Sequence, residues 1–182
     1  MVLSALLVGL ALSATAQQVP PGAVPFPGSP GAYCPGNTRY EIVYRELYPS
    51  PGGNHELLLR DRKTGKDRSV LAFDRHTEVL WAPGCEAFTV TDWGGSDFSR
   101  VLLYTVSARE PVADIQALIL KQLGHQPSIT GNHHVYLQAV AWPKSNVVRV
   151  RASGYGDVDP GGFEAFYEYE LGGTIRKVPA QK

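Results

Sequence analysis

Phe163-Glu164-Ala165-Phe166-Tyr167-Glu168-Tyr169-Glu170-Leu171 alternates with a period of two, interrupted only at Phe166. Phe163, Ala165, Tyr167, Tyr169 and Leu171 fall on one phase, and Glu164, Phe166, Glu168 and Glu170 on the other. Successive side chains of a strand point to opposite faces, so this is a strand with one face on a core. The same texture surrounds it. Upstream, Val148 and Val150 alternate with Arg149 and Arg151, and His134 to Trp142 is a strand closed by Pro143. Downstream, Gly172-Gly173 turns the chain into Thr174 to Val178. The spacing predicts antiparallel meanders.

Toward the N-terminus the pattern continues. Tyr40, Ile42 and Tyr44 alternate with Glu41, Val43 and Arg45. Leu57-Leu58-Leu59, the turn cluster Asp61 to Lys66 and the return strand Val70 to Phe73 predict a hairpin, with Gly65 able to take positive φ. Val79-Leu80-Trp81 ends at Ala82-Pro83-Gly84, Ala87 to Thr91 is rich in β-formers, and Val101 to Val106 suits a central strand. One helix interrupts the sheets. Pro111 fits a first helical turn, and Val112, Ile115, Leu118, Ile119 and Leu123 share a stripe before the stop at Gly124. The fold class is therefore mainly β. About nine strands are expected in an open sheet or sandwich, with one helix near 111–123 covering a face.

The hairpin Leu58 to Gly65, then Trp81-Ala82-Pro83-Gly84, then Phe88-Thr89-Val90-Thr91-Asp92 resemble a β-propeller blade of the prolyl oligopeptidase and periplasmic Tol kinds. Those families often carry Trp-Ser-Pro-Asp-Gly before a strand; here Ala82 replaces the Ser and the Asp is missing. The resemblance covers Leu57 to Val106. It implies repeated antiparallel units, two blade-like ones at most where a closed propeller needs about four, and carries no functional residue across.

Residues 1–16 carry no charge, and Val2 to Leu12 is an almost unbroken apolar run. A membrane span needs about 20 such residues. Small Ala14 and Ala16 precede Gln17, as signal peptidase requires, so the expectation is an export signal cleaved near Ala16-Gln17, with a core helix as the alternative. Residues 17–36 hold six prolines and four glycines and are expected to form an extended or disordered arm. Residues 37–182 are expected to make a single β-rich domain. Cys34 and Cys85 are the two cysteines. In an exported chain a lone pair predicts a bridge, with one reactive and one buried thiol as the alternative. Closing a loop of about 50 residues stabilises by on the order of 4 kcal/mol. The expected location is the periplasm or the medium, with no stable membrane anchor.

The 17 basic and 17 acidic side chains balance, which argues against a nucleic-acid partner because phosphate contacts need a basic excess. No nucleophile elbow, zinc motif or phosphate loop occurs. His133 and His134 are adjacent, so on a strand they diverge. Two acidic glycine-rich loops draw attention: Asp92-Trp93-Gly94-Gly95-Ser96-Asp97 and Gly154 to Gly162, which carries Tyr155, Asp157 and Asp159. Calcium is a candidate ligand of Asp157 and Asp159, though the EF-hand pattern is absent; no other metal and no cofactor is expected. Aromatics cluster near the second loop, and Phe166 sits among glutamates, either facing a partner or buried under a second layer. Together Asp92, Trp93, Asp97, Tyr155, Asp157, Asp159 and Phe166 form the candidate binding set. The functional expectation is an exported, non-catalytic binding module for an envelope protein, a cell-wall glycan, or a toxin or hydrolase. The alternative is a small envelope hydrolase or metal-dependent enzyme using Asp92, Asp157 or a histidine as base.

Overall fold

The computed structural model describes residues 18–47 and 55–180; the export signal read from residues 1–16 lies outside them. In chain order the elements are β1 (Val24–Phe26), β2 (Ala32–Cys34), β3 (Asn37–Glu46), β4 (His55–Asp61), β5 (Lys66–Phe73), β6 (Thr77–Trp81), β7 (Ala87–Asp92), β8 (Phe98–Thr105) and β9 (Ala113–Asp114). After them come α1 (Ile115–Leu123), α2 (Pro127–Thr130), β10 (His134–Lys144), β11 (Val147–Tyr155), β12 (Phe163–Glu170) and β13 (Ile175–Val178). The protein is mainly β, in open and largely antiparallel sheets.

Strands β2-β3-β4-β5 form a four-stranded meander. The other nine form one sheet in the order β1-β6-β7-β8-β10-β11-β12-β13, with β9 beside β8. This large sheet is hinged. Only Val135↔Phe98 and Tyr136↔Ser99 pair β10 with β8, and they do so in parallel. Beyond that short ladder β10 turns back across β6 and β7. The Ala139 N–H donates to Thr91 Oγ1 (3.2 Å), and the Trp142 indole donates to the Leu80 carbonyl (3.2 Å). Register shifts on either side of Ala141 supply the bend, as bulges do where a sheet must turn a corner.

Strands β6 and β7 are consequently covered on both faces, and every one of their residues is buried. On one side the small sheet closes over Phe26, Trp81, Phe88, Leu102 and Tyr104. On the other, the folded-back wing and α1 close over Leu80, Leu103, Ile115, Ile119, Leu137 and Val150. The alternating stretch Phe163 to Leu171 behaves as its spacing predicts: Ala165, Tyr167 and Tyr169 pair with Ala152, Val150 and Val148 on the core face.

Four expectations need correction. The stretch 17–36 is no free arm over its described residues: β1 pairs with β6 and β2 with β3, and Phe26 and Ala32 are fully buried. Prolines survive here because both strands lie at sheet edges, where a missing N–H costs no ladder bond. Among the described residues the strands number thirteen, because pieces of two or three residues are too short to show a period. The helix starts at Ile115 rather than Pro111, since the Val112 N–H goes to the Leu103 carbonyl (2.8 Å) and Ala113 pairs with Leu103 first. A second helix, α2, follows it. Finally, the blade-like stretch Leu57 to Val106 is shared between two sheets, β4 and β5 in one and β6 to β8 in the other.

The Cys34–Cys85 bridge is formed, with Cα atoms 5.7 Å apart and both residues buried. It ties β2 to the turn between β6 and β7. Nearby the Trp81 indole donates to the Ala32 carbonyl (3.0 Å), a second stitch between the sheets. Such a bridge belongs to a non-reducing, extracellular-type compartment. No helix among the described residues is long and apolar enough to cross a membrane.

Candidate functional site

The two acidic glycine-rich loops, 92–97 and 154–162, are distant in sequence but meet at the start of β10. The Val135 N–H donates to the Asp97 carbonyl (3.0 Å), tying the first loop to β10. His134 pairs with Tyr155, tying the second. Their junction demands glycine at position 154: a Cβ there would stand 1.9 Å from the His134 carbonyl oxygen.

Along this junction four rings form a file. Trp93 and Tyr136 have centroids 6.1 Å apart, Tyr136 and His134 also 6.1 Å, and His134 stacks on Tyr155 at 4.2 Å and 16°. The file runs from a buried end at Trp93 to an open end at Tyr155, which is 50% exposed. Phe98 and Val158 are also exposed nearby.

Hydrogen bonds lock the middle of the file. Tyr136 gives its one hydroxyl proton to the Ser96 carbonyl (2.7 Å). The 2.9 Å contact between that hydroxyl and His134 Nδ1 therefore requires Nδ1 to donate. In the neutral ring this leaves Nε2 as an acceptor. Burial pushes the Tyr136 phenol above its ordinary value, with Tyr155 and Asp97 adding to the effect, so it stays a donor.

Behind Trp93 lies a cleft of about 270 Å³ lined by Val19, Arg75, His76, Glu78, Trp93 and Gly95. Glu78 is buried. Its carboxylate accepts from Gln138 Nε2 (3.0 Å) and faces His76 Nε2 at 3.4 Å. The Trp93 indole N–H has no partner among the described residues.

The sequence-derived set divides. Trp93 and Tyr155 belong to the file, and Asp97 supports it through its main chain. Asp92 faces the other way, onto Arg100 (3.0 Å); burial raises its carboxyl above the ordinary value although Arg100 opposes the shift. Asp157 meets His133 (2.9 Å), and Asp159 Oδ2 accepts from Asn132 (2.8 Å). The two carboxylates thus turn to different partners, and no group of three metal-ligating side chains occurs among the described residues. Phe166 lies outside the file on β12, half-buried between Arg151 and Val178.

Sequence reading missed Tyr136 and His134. Both lie at i and i+2 on one strand face, and that spacing was the available signal. What no spacing could give was the register that lays Tyr155 on His134. No family model matches the chain, and no curated protein and no solved structure matches it significantly, so the ring file and its hydrogen bonds carry the functional reading by themselves.

Proposed function

We propose that the mature chain is an exported, non-catalytic binding module that seats a cell-wall glycan on the ring file Trp93–Tyr136–His134–Tyr155. The observation that carries this is an aromatic surface that is ordered by internal hydrogen bonds yet open at one end. Sugar rings present C–H faces that pack on aromatic faces, while their hydroxyls need fixed donors and acceptors at the edge. The exposed His133–Asp157 pair, in the loop that carries Tyr155, supplies such groups, and His134 Nε2 is a further acceptor. Rings held before the ligand arrives lose little freedom on binding. Export and the oxidised Cys34–Cys85 pair suit a partner outside the cytoplasm.

The test is isothermal titration with a soluble N-acetylglucosamine tetramer. Tyr155→Ala is expected to weaken binding roughly tenfold, the scale of one aromatic hot-spot contact. Phe166→Ala is expected to leave it unchanged. Equal binding by wild type and Tyr155→Ala, or no heat at millimolar sugar, rejects the glycan reading.

A further inference from the structure

A second concavity lies away from the ring file. It is a groove of about 1130 Å³ between β5 of the small sheet and β8 of the large one. The small sheet ends at β5, so this margin of the sandwich stays open. The groove floor is apolar, with Leu59, Val70, Leu102, Tyr104 and Val106.

The rim is charged, and its charges are unevenly committed. Asp61 is held by Arg39 (3.0 Å), Asp67 by Arg60 (2.8 Å), and Asp114 by the Ala117 N–H (3.1 Å). Arg100 is occupied by Asp92. Lys66, Arg68 and Arg109 have no carboxylate partner among the described residues, and of the four rim acids Glu110 and Asp114 have no cation, Asp114 being held by a backbone N–H alone. Arg68 is the distinctive member. Its guanidinium spans the groove and donates only to main-chain carbonyls, those of Val106 and Arg109, both at 3.3 Å. A guanidinium taken partly out of water beside a second cation favours an anion that can accept its remaining donors. Burial, with Arg109 adding to it, accordingly lowers the Arg68 pKa.

The strand edge adds a second requirement. β5 is a terminal strand, so its outward N–H and C=O groups have no ladder partner. The Val70 carbonyl is taken by the Tyr104 hydroxyl (3.1 Å), which leaves Lys66 to Ser69 for pairing. A charged edge discourages an apolar strand and favours one of complementary charge. We infer that this groove binds an extended peptide bearing carboxylates, paired along Lys66–Ser69 and anchored by an acidic side chain on Arg68. A protein partner would thus use a face separate from the glycan shelf.

The probe is the acetylated, amidated pentapeptide Val-Glu-Val-Glu-Val, with Val-Gln-Val-Gln-Val as control, titrated into the oxidised protein by NMR. The acidic peptide is expected to bind at least tenfold tighter and to slow amide exchange at Lys66 to Ser69. Arg68→Gln should abolish that preference. Arg109→Gln, at the rim, should weaken it severalfold and serves as the second variant if Arg68→Gln unfolds. Equal binding of both peptides, no binding at millimolar concentration, a preference unchanged in Arg109→Gln, or self-association through β5 in place of peptide binding overturns the inference.

Discussion

The two cores on either side of β6 and β7 are built from different materials. The core under the small sheet is aromatic: Phe26, Phe73, Trp81, Phe88 and Tyr104 are its large members, with Trp81 against Phe88 at 4.9 Å and Phe88 stacked on Tyr104 at 5.3 Å. The core under α1 is mostly aliphatic, built on Leu103, Ile115, Ile119, Leu137 and Val150. The aromatic side joins the meander β2 to β5 to β1, β6, β7 and β8 of the other sheet and is held by a covalent bridge. The aliphatic side is built from long neighbouring strands, with β10, β11, β12 and β13 following one another as a meander. A meander closes short loops at little entropic cost, whereas docking the segment 18–34 onto two sheets closes long ones. The bridge sits where that cost is largest.

The largest expected effect follows from this. Replacing Cys34 and Cys85 together by Ser should destabilise by about 4 kcal/mol, since the pair is 51 residues apart. The loss should fall first on the aromatic side. Trp81 reports on that core and Trp142 packs against the other, so single-tryptophan variants give each side its own fluorescence probe. In chemical denaturation the oxidised protein should show coincident transitions. The Ser variant should show the Trp81 transition earlier. Coincident transitions in the variant would mean that the central strands couple both cores into one unit, which would break the comparison.

The same contrast explains what could be read in advance. The period-2 stretch Phe163 to Leu171 and the hairpin Leu57 to Phe73 announce themselves because each strand is long enough to show its alternation and turns locally. The strand Val24–Phe26 does not: three residues between prolines carry no period, and its burial depends on Val79 and Thr77 being in place. The helix stripe was legible, but its start was not, because pairing of Ala113 with Leu103 competes with helix propensity and wins. At the ring file Trp93 and Tyr155 stood out by composition, while their connection through Tyr136 and His134 depends on strand register. The attraction of Asp157 and Asp159 as calcium ligands came from proximity in sequence alone; the chain spends them on His133 and Asn132.

A smaller effect separates the two sides by pH. On the outer face of the aliphatic side, Glu168 is buried and accepts from Arg149 Nε (3.0 Å) and Arg176 (2.8 Å). Burial alone would raise its carboxyl, but the two guanidiniums outweigh it and hold the group below its ordinary 4.5. Its contribution is therefore fully present above pH 4.5 and is lost as pH falls through the depressed folded value. Asp92, on the aromatic side, has its folded pKa raised above 3.8, so the native state binds that proton more readily. Its contribution grows as pH falls through the raised value. Glu168→Gln should cost about 2–3 kcal/mol at neutral pH, leaving Arg149 short of its counter-charge, and should flatten the acid limb of the stability curve. Asp92→Asn should steepen that limb. Urea midpoints between pH 3 and 7 measure both; parallel curves for the two variants would refute the opposed roles.

The smallest effect lies at the junction between β9 and α1. Asp114 ends the short pairing with β8 and its Oδ1 accepts from the Ala117 N–H, so one residue closes a strand and opens a helix. Asp114→Ala should cost about 1 kcal/mol, the usual worth of an N-cap. Asp114→Asn keeps the acceptor and should cost only a few tenths of that. Because Ile115 and Ile119 enter the aliphatic core alone, the loss should move the Trp142 probe with no separate displacement of Trp81 in the reduced, decoupled protein. If Trp81 moves equally there, α1 stabilises the central strands themselves, and the two cores are one structure seen from two faces.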